Sequence, residues 1–275
     1  MSRKTIKKEI EIEGIGLHTG NKSKAIFHPA TGTGIRFTGQ GFKAPVRAIL
    51  KNVSGTVRGT NISDGTHTIH TVEHLLSAAA ALAIDDLDIE IIGEEPPICD
   101  GSAKPFADIL MAAGFEETAG MPDIKRIKKI TEADFGDVSY KAVPKEKGFS
   151  VSLVYENSHP MAGRLLTDKE INPDSFIKEI APARTFGYDF ELEMLRKAGL
   201  AKGGSLKNAL VITQKEILAD GGLRYPDEIV RHKMLDFIGD LALLGWRPEG
   251  VRIEAIRCGH ASNVKFARLL EQAAE

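Results

Sequence analysis

Cysteine is nearly absent: Cys99 and Cys258 are the only two thiols in 275 residues. Two cysteines make neither a disulfide framework nor a cysteine-rich zinc cluster, and they suit a reducing compartment. Long apolar runs are lacking as well. The longest, Leu75 to Ile84, is broken by Ser77 and followed by Asp85 and Asp86, short of the ~18–20 residues that a membrane helix needs. The start, Met1-Ser2-Arg3-Lys4, leads into Lys7, Lys8 and Glu9 without an apolar signal core. A cytoplasmic protein with no stable membrane insertion is therefore expected. An excess of one charge is missing too. Lys plus Arg number 36 against 38 Asp plus Glu, a net charge of −2, which gives no global reason to bind nucleic acid. What is present, 42% hydrophobic and 27% charged residues, excludes wholesale disorder. The length suits one large domain or two modest ones.

The order of elements favours two. Ile6, Ile10 and Ile12 alternate with charged residues, the period of a half-buried strand. Lys24–His28 starts a second strand, and the Gly-, Thr- and Asn-rich stretch 32–65 reads as hairpins and loops. A helix is predicted from an N-cap at Thr71, with Val72, Leu75, Leu76 and Ala79 on one face, running to Ile84. A strand at 88–92 and a helix at 104–114, with Pro105 in its first turn, follow. The charged stretch 116–131 reads as a linker. Beyond it the order repeats: strands at 138–143 and 150–155, a long helix at 227–244, a strand at 251–256 and a helix at 262–274. Strands first and helices after, twice, predict an α+β fold of two similar domains, 1–122 and 123–275.

Chemistry concentrates in Arg231-His232-Lys233-Met234-Leu235-Asp236-Phe237-Ile238-Gly239-Asp240. His232, Asp236 and Asp240 are spaced by four, so they share one helical stripe. His232 and Asp236 either grip one cation from a single rigid element or form an i,i+4 salt bridge on a solvated face. The second carboxylate, inside an otherwise apolar helix, favours the first, because buried Asp and His need partners or a metal. Glu73-His74 is the candidate for a further ligand with a base beside it. Three protein ligands leave zinc an open position for water. His260, between a strand and a helix, is a candidate catalytic histidine or a capping one.

A rival reading takes His70-Thr71-Val72-Glu73-His74 as the H-x-x-E-H motif of inverted zinc proteases. It requires His70 and His74 on one helix face, whereas an N-cap at Thr71 leaves His70 outside the helix. Gly14-Ile15-Gly16-Leu17-His18-Thr19-Gly20 and Lys202-Gly203-Gly204-Ser205-Leu206-Lys207 lack phosphate-loop spacing and read as glycine turns.

These blocks together resemble the zinc-dependent UDP-3-O-acyl-N-acetylglucosamine deacetylases of lipid A biosynthesis. The resemblance rests on Thr71-Val72-Glu73-His74-Leu75, on 231–236 with Gly239-Asp240-Leu241, and on Gly259-His260 with Asn263. Gly14–Gly20, Asp100-Gly101-Ser102-Ala103, Ala183-Arg184-Thr185-Phe186-Gly187 and Gly203-Gly204-Ser205 match in the same order. The matches run from residue 14 to 263. The resemblance implies two α+β domains with helices packed between two outer sheets and the site at their junction. It implies Zn2+ on His74, His232 and Asp236, and so excludes His70 as a ligand.

It also implies roles. Glu73 is the base, Thr185 steadies the oxyanion, His260 stabilises charge or protonates the leaving amine, and Asp240 orients His260. A strand–helix–strand insert at about 183–211 forms an acyl passage with Phe186, Leu195, Ala198, Leu200 and Ala209, while Gly204 and Ser205 border the substrate. Lys233 meets the nucleotide phosphates and His18 borders the sugar. The chain departs from the family at Val154–Pro160, where an extra residue and Glu156 precede the histidine; Tyr155 is the aromatic assigned to uracil. Lys141, Lys145 and Lys147 read either as phosphate contacts or as a solvated strand edge. The partner implied is one small UDP-acyl-amino-sugar met by a monomer.

Overall fold

The computed structural model describes residues 2–275. In the first half, β1 (Ile10–Ile15), β2 (Lys22–Pro29), β3 (Ile35–Gly39) and β4 (Val46–Arg47) lead to helix α1 (Glu73–Ala81). Strand β5 (Leu87–Ile92) and helix α2 (Lys104–Ala113) follow. In β5, Leu87, Ile89 and Ile91 are buried while Asp88 and Glu90 alternate outward, so one face of the sheet is apolar. The sheet order is β1-β2-β5-β3-β4, with β5 antiparallel to β2 and parallel to β3.

The second half repeats this plan. Strands β6 (Thr131–Phe135), β7 (Val138–Pro144), β8 (Phe149–Glu156) and β9 (Arg164–Glu170) come first. An inserted unit follows: β10 (Phe186–Tyr188), α3 (Asp189–Lys197), β11 (Leu210–Ile212) and β12 (Ile217–Leu218). Then come helix α4 (Glu228–Ala242), strand β13 (Val251–Ile256) and helix α5 (His260–Ala273). The order β6-β7-β13-β8-β9, with β13 antiparallel to β7 and parallel to β8, is the same topology. Each half also carries a three-stranded sheet at the same joint, between its fourth strand and its central helix, α1 or α4. In the first half that sheet is Val53–Gly55, Asn61–Ser63 and Thr68–Ile69; in the second it is β10-β11-β12.

Helices α1 and α4 pack directly on each other. They share one core with inward residues of both sheets, such as Phe27, Phe37 and Ile89 from one and Val151, Leu153 and Ile253 from the other. Helices covered on two sides must be apolar nearly all round, and all of α1 except Ala80 is buried. Gly239 permits the close approach. A Cβ there would lie 2.1 Å from the carbonyl oxygen of Glu73.

Several expectations need correction. Helix α1 starts at Glu73 behind Val72, not after a Thr71 cap. Thr71 has φ of 54°, and its hydroxyl donates to Glu95 Oε2 at 3.2 Å instead of accepting from helix amides. The helix stops at Ala81 because Ala83 turns the chain at φ 56°. Arg3–Ile6 and β1 are separate strands in different sheets. The stretch 116–131 is not a bare linker: Phe115–Thr118 pairs with Arg3–Ile6, and Ile124–Arg126 pairs with Arg247–Glu249. These strands are too short to show a period. Among the described residues, no helix is long and apolar enough to cross a membrane.

Candidate active site

Three elements bring six titratable side chains together. Helix α1 presents Glu73 and His74 from its first turn. Helix α4 presents His232, Asp236 and Asp240 along one stripe. Helix α5 presents His260 from its first residue, held by Gly259, whose amide donates to Ser262 Oγ at 3.1 Å. His260 is thus helical, not in the preceding loop. The ligand atoms of His74, His232 and Asp236 all lie within 4.8 Å of one another. Asp236 Oδ1 stands 3.3 Å from His232 Nε2 and 3.6 Å from His74 Nε2. It is buried without any hydrogen-bond partner, a costly state for a carboxylate oxygen. His232 Nδ1 lies 3.1 Å from the carbonyl of Ala183. As donor there, it leaves Nε2 with its lone pair toward Asp236. Two imidazoles and a carboxylate are a donor set that zinc accepts, and the partnerless Oδ1 fits a cation. His70 belongs to neither of the groups that could hold a metal ion.

Electrostatics assigns a form to each group. Burial pushes His232 down to about 3, so it is neutral in the physiological range. Burial opposes charge on Asp236, but the cationic Lys233 and His260 outweigh it and hold Asp236 well below the usual carboxylate range. Burial raises Glu73, as suits a proton acceptor. Burial also opposes protonation of His260, yet Asp240, Glu73 and Asp236 overcome it and raise the imidazole to about 9. His260 Nε2 lies 3.8 Å from both Glu73 Oε1 and Asp236 Oδ2.

Behind these groups runs a buried hydrogen-bond chain. His260 Nδ1 donates to Asp240 Oδ2 at 2.9 Å, and Asn263 Nδ2 donates to the same oxygen at 2.8 Å. The Tyr140 hydroxyl donates to Asn263 Oδ1 at 2.7 Å. Thr60 Oγ1 donates to Asp240 Oδ1 at 2.5 Å, and the Thr60 amide donates to Glu73 Oε2 at 2.9 Å. Thr60 therefore touches both carboxylates that flank His260. Sequence reasoning missed Thr60 and Tyr140. Thr60 sits in an irregular stretch with no period, and Tyr140 reads as an ordinary inward strand residue.

The remaining candidates lie around this centre. Lys233 Nζ donates to Asp236 Oδ2 at 2.6 Å and sits 5.8 Å from the centre of the Phe186 ring. Phe186 packs edge-on to His232, with centroids 6.1 Å apart, and edge-on to Tyr155 at 5.7 Å. The Tyr155 hydroxyl is 2.5 Å from that of Tyr188. Thr185 is pinned by its backbone, its amide to Gly101 and its carbonyl to the Leu210 amide, each at 2.8 Å. Before it, Arg184 forms a fully buried ion pair with Glu228 at 2.9 Å.

His18, Gly204 and Ser205 stand together at the seam of loop 14–20 and the insert. The Ala201 amide donates to His18 Nδ1 at 3.3 Å, so Nε2 donates to the Arg58 carbonyl at 3.2 Å. Both His18 ring nitrogens are thus engaged by backbone. Ser205 heads a turn in which its amide donates to Asn208 Oδ1 at 2.8 Å. Neither Gly204 nor Ser205 makes a hydrogen bond to the histidine and carboxylate cluster. Lys141 and Lys145 pair with Glu132 and Glu170 at the sheet surface, the solvated-edge arrangement. Cys258 is buried and pushed up to about 12 by that burial, so it is an inert thiol.

Comparison with known proteins agrees with this geometry. The profile of the UDP-3-O-acyl N-acetylglycosamine deacetylase family matches residues 3–272. A UDP-3-O-acyl-N-acetylglucosamine deacetylase of Nitratidesulfovibrio vulgaris is 42% identical over 279 residues, covering 99% of this chain and 88% of the relative. One of Saccharophagus degradans is 43% identical over 270 residues, covering 96% and 88%. One of Myxococcus xanthus is 38% identical over 270 residues, covering 97% and 85%. A match of this extent, on a chain whose histidines and carboxylates converge as described, means that the protein belongs to the UDP-3-O-acyl N-acetylglycosamine deacetylase family.

Proposed function

We propose that this chain is a zinc-dependent deacetylase that hydrolyses the acetamide of UDP-3-O-acyl-N-acetylglucosamine, releasing acetate and UDP-3-O-acyl-glucosamine in lipid A biosynthesis. One observation carries the zinc reading: the buried, partnerless Asp236 Oδ1 between two imidazole Nε2 atoms, with Glu73 and His260 alongside. His74, His232 and Asp236 would hold the ion. When bound, zinc supplies a Lewis acid that polarises the acetamide carbonyl and acidifies water.

The chain's own residues do the rest. Glu73, raised by burial, accepts the proton of the attacking water. His260, kept protonated by Asp240, offers its Nε2 proton to the leaving amine. Thr185 donates to the developing oxyanion from a segment fixed by the Arg184–Glu228 pair. Lys233 screens Asp236 and meets the substrate's phosphates at the mouth. Phe186 and the apolar residues of the insert line the acyl passage, with Tyr155 toward the uracil and Gly204, Ser205 and His18 at the sugar. A cytoplasmic monomer with a domain boundary near residue 122 completes the proposal; the repeated sheet topology supports the boundary.

The test is acetate release from the UDP-acyl-amino-sugar by wild type and Glu73→Ala, before and after chelation and zinc restoration. Wild type is active, loses activity on chelation and regains it with zinc. Glu73→Ala keeps its zinc and loses at least a hundredfold in kcat, the scale of a lost general base. Full activity of Glu73→Ala, or of the chelated enzyme, would refute the proposal.

A further inference from the structure

Between the two carboxylates that flank His260 sits a fully buried threonine, Thr60. It precedes the short strand Asn61–Ser63 of the first half. Two neighbours shape its approach. Arg58 turns the chain at φ 62°. Gly59 then passes so close that a Cβ there would lie 3.1 Å from Glu73 Oε1 and 3.3 Å from Thr71 Oγ1, so glycine keeps that carboxylate oxygen uncrowded. The Val72 amide, at the start of α1, donates to the Thr60 carbonyl at 3.0 Å. The backbone at residue 60 is thus tied to the turn that launches Glu73 and His74.

Each polar group of Thr60 meets a different partner. Its amide donates to Glu73 Oε2 at 2.9 Å, which leaves Oε1 as the oxygen 3.8 Å from His260 Nε2. Its hydroxyl donates to Asp240 Oδ1 at 2.5 Å, which leaves Oδ2 for His260 Nδ1 at 2.9 Å and Asn263 Nδ2 at 2.8 Å. The hydroxyl oxygen also lies 3.4 Å from His260 Nδ1. A carboxylate turns about its last C–C bond in a broad, two-fold well. The bond itself therefore does not choose which oxygen faces the imidazole; the donors around it do. Thr60, Asp240 and Asn263 are all wholly buried, so removing the hydroxyl strands Asp240 Oδ1 as an unsatisfied acceptor.

We infer that Thr60 is a positioning residue for the deacetylation: it holds Glu73 and Asp240 in the one rotation that turns Glu73 Oε1 to the attacking water and Asp240 Oδ2 to His260. This role rests on those proposed above for Glu73 and His260, and it adds the residue that aligns them. Being fully buried, Thr60 touches no substrate and acts only through the two carboxylates. Loss of its hydroxyl therefore lowers kcat and spares KM, because the lost bond serves the reacting geometry and not binding. Threonine suits the task, since its branched Cβ keeps χ1 stiff.

The experiment compares wild type, Thr60→Val and Thr60→Ser. Valine keeps the branched shape and removes the donor; serine keeps the donor. The quantities read are kcat and KM for acetate release, zinc content by elemental analysis, and the proton resonance of His260 Nδ1. That resonance is followed in zinc-loaded protein labelled with heavy-nitrogen histidine and is assigned by its absence from His260→Gln. Thr60→Val is expected to hold zinc at the wild-type level, to lose roughly ten- to a hundredfold in kcat and to keep KM within about twofold. Its Nδ1 resonance moves or broadens, because Asp240 is no longer fixed. Thr60→Ser restores most of kcat and the wild-type resonance. If Thr60→Val does not melt cooperatively, Thr60→Cys replaces it, since a thiol is only a weak donor. An unchanged kcat or an unchanged Nδ1 resonance in the donor-less variant overturns the inference. So does a serine variant as impaired as valine, a loss confined to KM, or a loss of zinc. A wild type that releases no acetate refutes the proposed reaction instead, and the Nδ1 resonance then still decides whether Thr60 aligns Asp240 with His260.

Discussion

Gly239→Ala is the sharpest test of how the two helices hold the site. The added Cβ would lie 2.1 Å from the Glu73 carbonyl oxygen, 2.7 Å from its carbon and 2.9 Å from its Cα. All three are backbone atoms of α1, which cannot swing aside as a flexible side-chain tip would. Ordinary contact begins at 3.4 Å, so α1 and α4 must part by roughly 1 Å at their closest point. Overpacking of this kind costs about 1–3 kcal/mol. In a chain of this size that lowers Tm by about 2–12 °C. The same displacement moves Glu73 relative to Asp236 and His260, and a 1 Å misplacement of catalytic groups costs about a hundredfold in rate. The assays are a thermal melt, kcat for acetate release and zinc content by elemental analysis. The variant is expected to melt earlier and turn over about a hundredfold more slowly. A Gly239→Ala protein with wild-type Tm and kcat would refute the close-packing argument and the claim that helix separation sets the site's geometry.

Three further outcomes follow from the same geometry. Asp240→Asn removes the strongest of the carboxylates that raise His260 toward 9; activity that needs protonated His260 is lost as pH rises through its pKa, so the alkaline limb of the pH–rate profile moves to lower pH, and an unmoved limb rules out His260 as the acid. Arg184→Met strands Glu228 in a buried position and costs about 3–5 kcal/mol by chemical denaturation, whereas Arg184→Met with Glu228→Leu recovers most of it. His70→Ala leaves the zinc content at the wild-type level; loss of zinc would revive the inverted-protease reading.

Much of the repeating plan was legible because it rests on periodicity. Strand β13 matches its expected bounds of 251–256, and α4 falls within 227–244, since long apolar patterns are hard to misread. The i,i+4 stripe of His232, Asp236 and Asp240 needed only helical geometry. The sequence could not reveal how α1 begins, because Thr71 spends its hydroxyl on Glu95, 24 residues away, instead of capping. Local capping rules carry no information about such distant partners. Thr60 was invisible for the same reason: its bond to Asp240 spans 180 residues. The strands at 115–118 and 124–126 were misread because three or four residues at a sheet edge leave no period. His18 was assigned to the sugar by resemblance, and only the three-dimensional structure reveals that the backbone of residues 58 and 201 engages both its ring nitrogens.

The placement of β5 and β13 at the centre of their sheets bears on how the molecule is made. Each is the last strand of its five-stranded sheet along the chain, yet each must slot between two strands formed earlier. The first sheet can close once residue 92 has emerged, while the second waits for residue 256. At about 5–20 residues per second, the interval is roughly ten to thirty seconds. During it, β7 and β8 present unpaired edges toward each other, and His232 and Asp236 have not yet been locked beside His74. The cluster of histidines and carboxylates is therefore one of the last features to assemble, and the nascent second half is the part of the protein most in need of protection from aggregation.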